Sequence, residues 1–203
     1  MDHYDKAYFD KWYRDPAHRV STPTMTRRKA ALAVAMAEYY LQRPVRTVLD
    51  VGCGEGQWQP VLARLRSGIR YTGVDPSAYA VKRYGARRNL LCGSFGGLGA
   101  LPLAASYDLI VCSNVLYYVP ADELERGVQA IAERLGGVAF LEAYASEEGL
   151  TGDTSTMEPR DVTFYRRLFR KAGLVSCGSH CYVGEALAGC VTALERGGIG
   201  PRG

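Results

Sequence analysis

The 203 residues carry a formal net charge of +4 and are 47% hydrophobic and 23% charged, the balance of a globular chain long enough to bury one sizeable core. The basic residues fall in short pairs such as Arg87-Arg88 and Arg166-Arg167, without the dense stripe of a dedicated nucleic-acid binder. The longest apolar stretch, residues 30–37, is too short to span a bilayer, and the opening MDHYDKAYFDKWYRD has no apolar leader.

In chain order, residues 4–14 place Tyr4, Tyr8 and Trp12 four apart, on one face of a helix that Pro16 ends. Ser21-Thr22-Pro23 offers a cap and a first-turn proline for a second helix reaching Leu41. Residues 46–51 read as a buried strand, 57–66 as a helix stopped at Ser67-Gly68, and 69–74 as a strand ending at Asp75. Residues 76–84 read as a short helix, 89–92 as a third strand, and 93–99 as a glycine-rich loop. A fourth strand is expected over 107–112, a helix over 122–135 stopped by Gly136-Gly137, and a fifth strand over 138–143. Polar residues 147–156 suggest a mobile loop, and 158–172 a helix closed at Gly173. Residues 174–183 and 189–195 are expected as the last two strands, paired as a hairpin. This order predicts an α/β, Rossmann-like, doubly wound sheet of seven strands, mostly parallel with the last antiparallel, and helices on both faces. The division expected is a helical cap or lid over 1–43, a core over 44–196 and a disordered tail over 197–203. A ligand crevice belongs at the strand carboxyl ends, where the strand order reverses.

The glycine run selects the ligand class. A strand ending in Asp50 leads to Gly52-Cys53-Gly54-Glu55-Gly56, and a second strand ends in Gly73-Val74-Asp75-Pro76-Ser77, with Asp75 25 residues beyond Asp50. Glycines let the backbone turn sharply and approach a ligand, and an acid at the second strand's end can accept from ribose hydroxyls. A dinucleotide fingerprint wants a third small residue where Gln57 stands, so that match fails. Asp75 before Pro76 also suits a plain helix start.

Residues 48–56 (VLDVGCGEG) and 73–77 (GVDPS) resemble the first two motifs of the class I S-adenosylmethionine-dependent methyltransferases. The resemblance extends over roughly residues 46–143. It implies S-adenosyl-L-methionine as cofactor, with Asp50, Gly52, Cys53 and Gly54 about the methionine end and Asp75 on the ribose. It further implies Pro76 and Ser77 beside the adenine, Ser94 and Phe95 closing over it, and Ser113 and Asn114 facing the cofactor. Many relatives carry an acid in the loop after the third strand, on the adenine amine. This chain has Gly93-Ser94-Phe95 there.

The segment after the fourth strand, Cys112 to Pro120 (CSNVLYYVP), lacks the motifs of nucleobase methylation and the carboxylates of a magnesium-dependent enzyme. It resembles small-molecule methyltransferases, in which a histidine often stands where Tyr117 is. Tyr117 could orient an acceptor but is a poor base near neutrality, and it could equally pack the next helix with Tyr118. His180, on an expected late strand, is the other candidate base or a structural histidine. Cys177, His180, Cys181 and Cys190 do not have zinc-site spacing, so no metal is expected. Tyr4, Tyr8, Phe9, Trp12 and Tyr13 could wall the site as a lid, with Tyr8 and Trp12 on the cofactor, or dock as a surface helix. Six dispersed cysteines suit a reducing cytoplasm. The expectation is a metal-free methyltransferase, monomer or homodimer, acting on a small molecule. RNA or protein acceptors, a non-catalytic cofactor-binding subunit and, more distantly, a nicotinamide-dependent dehydrogenase are the alternatives.

Overall fold

A computed structural model describes residues 4–146 and 153–192. The order is α1 (Lys6–Phe9) running into a wide turn (Asp10–Arg14), α2 (Pro23–Leu41), β1 (Thr47–Val51), α3 (Trp58–Leu65), β2 (Arg70–Asp75), α4 (Ala78–Arg88) and β3 (Leu90–Cys92). Then come β4 (Tyr107–Cys112), α5 (Ala121–Glu133), β5 (Leu135–Leu141), α6 (Val162–Lys171), β6 (Val175–Gly178), β7 (Cys181–Val183) and α7 (Glu185–Thr192). The seven strands form one sheet ordered β3-β2-β1-β4-β5-β7-β6. Neighbours among the first five are parallel, and β7 is antiparallel to both β5 and β6. The order reverses between β1 and β4, and the crevice opens there.

Alternation along the buried strands sends successive side chains to opposite faces. Val48, Leu109, Val111, Val138 and Phe140 join Ala30, Ala33, Val34 and Ala37 of α2 and Leu62 of α3 on one face. Leu49, Ile110, Ala139 and Leu141 join Leu124, Val128 and Ile131 of α5 and Leu168 and Phe169 of α6 on the other. α2 is thus a layer of the core, so the expected cap over 1–43 divides. Its first residues leave the sheet, while the alanine face of α2 lies against it.

The capping chemistry explains the helix starts. Thr22 accepts from the Met25 N–H at 3.2 Å with Pro23 in the first turn, Ser77 accepts from Ala80 at 3.0 Å, and Asp161 accepts from Phe164 at 2.6 Å. Hence α4 begins after Ser77 and α6 after Asp161, later than the apolar pattern suggests. α4 also runs past Gly85 to a left-handed Asn89 (φ 55°), beyond the expected end at Tyr84.

Two expectations are corrected. Gly136 and Gly137 do not stop a helix; they lie in β5, and α5 ends before Arg134. A Cβ on Gly137 would stand 2.2 Å from the Asp108 carbonyl oxygen, so glycine permits the close approach of β4 and β5. The terminal hairpin is β6 with β7, both inside 174–183, joined at Gly178, Ser179 and His180 with φ of 86°, 51° and 61°. Residues 189–192 are helical, with Leu187 and Val191 one turn apart against the core, instead of a strand. Residues 193–195 and the expected tail 197–203 lie outside the described residues, as do 147–152 of the expected loop. No helix among the described residues is long and apolar enough to cross a membrane.

Candidate active site

β1 runs straight into the glycine loop, whose Gly52 and Gly54 adopt φ of 70° and 53°. The left-handed region is open to glycine at little cost. A Cβ on Gly52 would meet Val115 at 2.3 Å, and one on Gly54 would approach the Phe9 ring at 3.1 Å. These glycines leave a floor that side chains would fill. The buried Asp75, at the end of β2, accepts from the Gly54 N–H at 2.6 Å and the Ser77 N–H at 2.9 Å. The carboxylate therefore shapes the loop as well as facing the crevice.

A cavity of about 230 Å³ lies over this floor. Gly52, Gly54, Asp75, Pro76, Ser94, Phe95 and Asn114 line it from the sheet side, with Tyr118 and Glu123. Tyr4, Tyr8, Phe9 and Tyr13 of the first segment close it from above. That roof is fastened at two points: Arg14 pairs with Glu55 of the glycine loop, and Ser77 Oγ donates to the Tyr4 carbonyl at 2.5 Å. Phe9 is buried, with its ring 5.2 Å from Tyr13 and 5.8 Å from Tyr79.

The other named residues occupy different places. Asp50, Cys53 and Ser113 line a void of about 30 Å³ that shares Gly52, Tyr13 and Asn114 with the main cavity. Ser77 does not line the cavity; it caps α4 and holds the roof. Trp12 does not line it either: its ring lies under Lys11 and 6.1 Å from His18, because the wide turn after α1 rotates it off the face of Tyr4 and Tyr8. Tyr117 is buried, outside the lining, with its hydroxyl 3.5 Å from Asn114 Oδ1, while the adjacent Tyr118 faces the cavity. The tight turn at 116–118 decides which of the two points inward. His180 sits on the β6–β7 turn instead of within a strand, 5.9 Å ring to ring from Tyr144, and lines a separate groove beside α6. Asn114 is left-handed (φ 61°) at the crevice, a strained backbone of the kind that collects at functional sites.

One cluster has no forewarning in the motifs. Glu142, at the exit of β5 and 2% exposed, accepts from Lys29 of α2 at 2.8 Å, Ser113 at 2.6 Å and Tyr144 at 2.5 Å. Burial works against its ionised form, but these donors outweigh it and hold its pKa below the usual range. Tyr144 also packs its ring against Tyr117 at 5.8 Å. The two catalytic candidates, Tyr117 and His180, thus flank a tyrosine that neither motif signals. Glu142 is an ordinary Glu after an apolar strand, and Lys29 is 113 residues away, so only the fold pairs them.

Electrostatics limit the acid–base repertoire. Burial pushes the Tyr118 hydroxyl up to about 12, helped by the nearby Asp153 and Tyr4. Burial also raises Tyr8, Tyr13 and Tyr117, so these phenols are neutral donors and acceptors near neutrality. Burial raises Asp50 to about 7 against a hydrogen bond from Tyr71, with the charge of Asp75 adding to the rise. Among the described residues no group of three His, Cys, Asp or Glu is placed to hold a metal.

A family model described as a methyltransferase domain matches residues 15–193. The chain belongs to the class I S-adenosylmethionine-dependent methyltransferase family. This methyltransferase is 43% identical over 128 residues to the ribosomal protein L11 methyltransferase of Cupriavidus taiwanensis, covering 52% of this chain and 42% of that protein. It is 32% identical over 127 residues to the tRNA U34 carboxymethyltransferase of Shewanella amazonensis, covering 57% of this chain and 36% of that protein. The matches therefore span less than half the length of these relatives. Its fold is similar to that of a SAM-dependent methyltransferase from Archaeoglobus fulgidus, with a TM-score of 0.63 and 16% identity over 84% of this chain and 74% of that one.

Proposed function

We propose that this methyltransferase seats S-adenosyl-L-methionine in the roofed cavity and transfers the methyl to a small-molecule acceptor without a metal. The observation that carries the reading is the roof. Tyr4, Tyr8, Phe9 and Tyr13 stand over the glycine loop and leave a partly open cleft of about 230 Å³, whose aromatic walls and few convergent polar groups suit a small-molecule ligand.

The residues present fit the cofactor. Asp75 stands where a ribose diol can donate to it, Pro76 and Phe95 offer apolar walls to a base, and Asp50 lies toward a cationic amino-acid end. When bound, the cofactor supplies a methyl already activated on a sulfonium. The chain's residues then position and exclude water. Asn114 and Tyr118 face the reacting end. Tyr117, Tyr144 and Glu142 stand behind them as an ordered polar wall, with His180 beyond Tyr144. The neutral tyrosines orient an acceptor by hydrogen bonds instead of taking its proton. Electron-rich ring faces in the roof also favour a sulfonium. The six cysteines, all free thiols, fit a reducing compartment such as the cytoplasm.

Incubation with methyl-labelled cofactor and three acceptor pools (a small-metabolite extract, total tRNA and ribosomal protein) tests this reading. Label is expected in the small-metabolite pool. Label in tRNA or ribosomal protein replaces it with a macromolecular acceptor, as the names of the two relatives would favour. Cofactor binding without label in any pool points to a non-catalytic role.

A further inference from the structure

We infer that Glu123 reads the exocyclic amine of the cofactor's adenine, from α5 instead of from the loop after β3. This rests on the seating proposed above, in which the base lies at the Pro76–Phe95 end of the cavity. At that end the loop after β3 offers only Ser94, whose hydroxyl already faces the Gly97 N–H at 3.2 Å. The carboxylate lining the same end is that of Glu123.

Its placement is built by packing. Phe95 is buried against a notch in α5: a Cβ on Gly127 would lie 2.2 Å from the Phe95 ring. The Gly96 N–H donates to Glu123 Oε2 at 3.1 Å, and a Cβ on Gly96 would meet the Glu123 side chain at 2.8 Å. Two glycines thus bolt the loop to α5 and draw one Glu123 oxygen onto the backbone. Oε1 makes no hydrogen bond among the described residues. A half-buried carboxylate with one oxygen fixed is a directional acceptor. Adenine presents an amine donor at its six-position, and hypoxanthine presents a carbonyl there. A carboxylate accepts from the first and repels the second. Sites that hydrogen-bond a substrate group discriminate strongly against the analogue lacking it.

The test is calorimetric titration with S-adenosylhomocysteine and S-inosylhomocysteine, on the wild type and on Glu123→Gln. The wild type should bind the adenosyl compound about tenfold or more tightly than the inosyl one. Glu123→Gln keeps an oxygen for the Gly96 N–H and adds an amide donor. It should bring the two affinities together, chiefly by improving the inosyl compound. A purely structural role for Glu123 would weaken both ligands alike. Equal wild-type affinities, or a preference unchanged in the variant, overturn the inference. If Glu123→Gln does not fold, Glu123→Asp, which retracts the carboxylate by one methylene, must show the reduced preference. A wild type that binds neither compound refutes the seating itself, a separate outcome.

Discussion

The two halves of the crevice are built differently. At the half proposed for the ribose, Asp75 receives two backbone N–H groups, Gly52 and Gly54 supply left-handed turns, and all of this lies within residues 52–77 of one β-α-β unit. Behind the end proposed for the acceptor, Lys29, Ser113, Glu142 and Tyr144 come from α2 and the exits of β4 and β5. The first is a backbone device that local sequence writes directly. The second is a side-chain device that exists only once distant elements pack.

The largest effect that can break this contrast is on stability. Glu142→Gln leaves the Lys29 ammonium, 17% exposed, without its carboxylate, which should cost about 3 kcal/mol in urea unfolding, toward the low end for breaking a buried pair. A cost near zero would mean the cluster is not held as one unit. Asp75→Ala should weaken S-adenosylhomocysteine binding by about 1–3 kcal/mol in calorimetry. An unchanged affinity in a folded variant removes Asp75 from the site.

The pH response sharpens the boundary between the halves. Asp50, with a folded pKa of about 7 against an ordinary 3.8, is protonated in the folded protein well above its unfolded value. Its contribution to stability is fully present below about pH 4 and is lost as pH rises through about 7. Thermal melts of Asp50→Asn should therefore gain on the wild type at pH 8 but not at pH 4. A cationic amino-acid end next to Asp50 favours the carboxylate. Cofactor affinity should rise by about tenfold between pH 6 and 8, and this slope should vanish in Asp50→Asn. The smallest effect expected is Tyr117→Phe, which removes a long contact to Asn114 and a hydrogen bond to Tyr118 and should lower stability by about 1 kcal/mol. Tyr118→Phe, facing the cavity, should instead lower acceptor kcat/KM. The reverse ranking would restore Tyr117 as the acceptor-facing residue.

Legibility followed the same division. Short apolar runs gave the five parallel strands, and the Thr22-Pro23 cap gave the start of α2, because burial and N-cap hydrogen bonding act within a few residues. The glycines at 136–137 misled, since a helix stop and a close strand–strand approach both favour glycine, and only the neighbouring Asp108 carbonyl separates them. The last hairpin was compressed because Gly178, Ser179 and His180 turn in three residues, and a left-handed histidine has no strong sequence signal. Trp12 shares four-residue spacing with Tyr4 and Tyr8, but the widened turn after α1 breaks that periodicity.

The sequence by itself determined the donor chemistry. VLDVGCGEG and GVDPS encode turns, a floor and an acid through local backbone preference, and local preference survives without knowledge of the fold. Tertiary structure decided what surrounds that floor. It placed Tyr118 and not Tyr117 at the cavity, joined Lys29 to Glu142, and brought Glu123 to the loop that lacks an acid. Those groups meet through packing between residues far apart in the chain, and such contacts leave no periodic or local trace for a sequence to show.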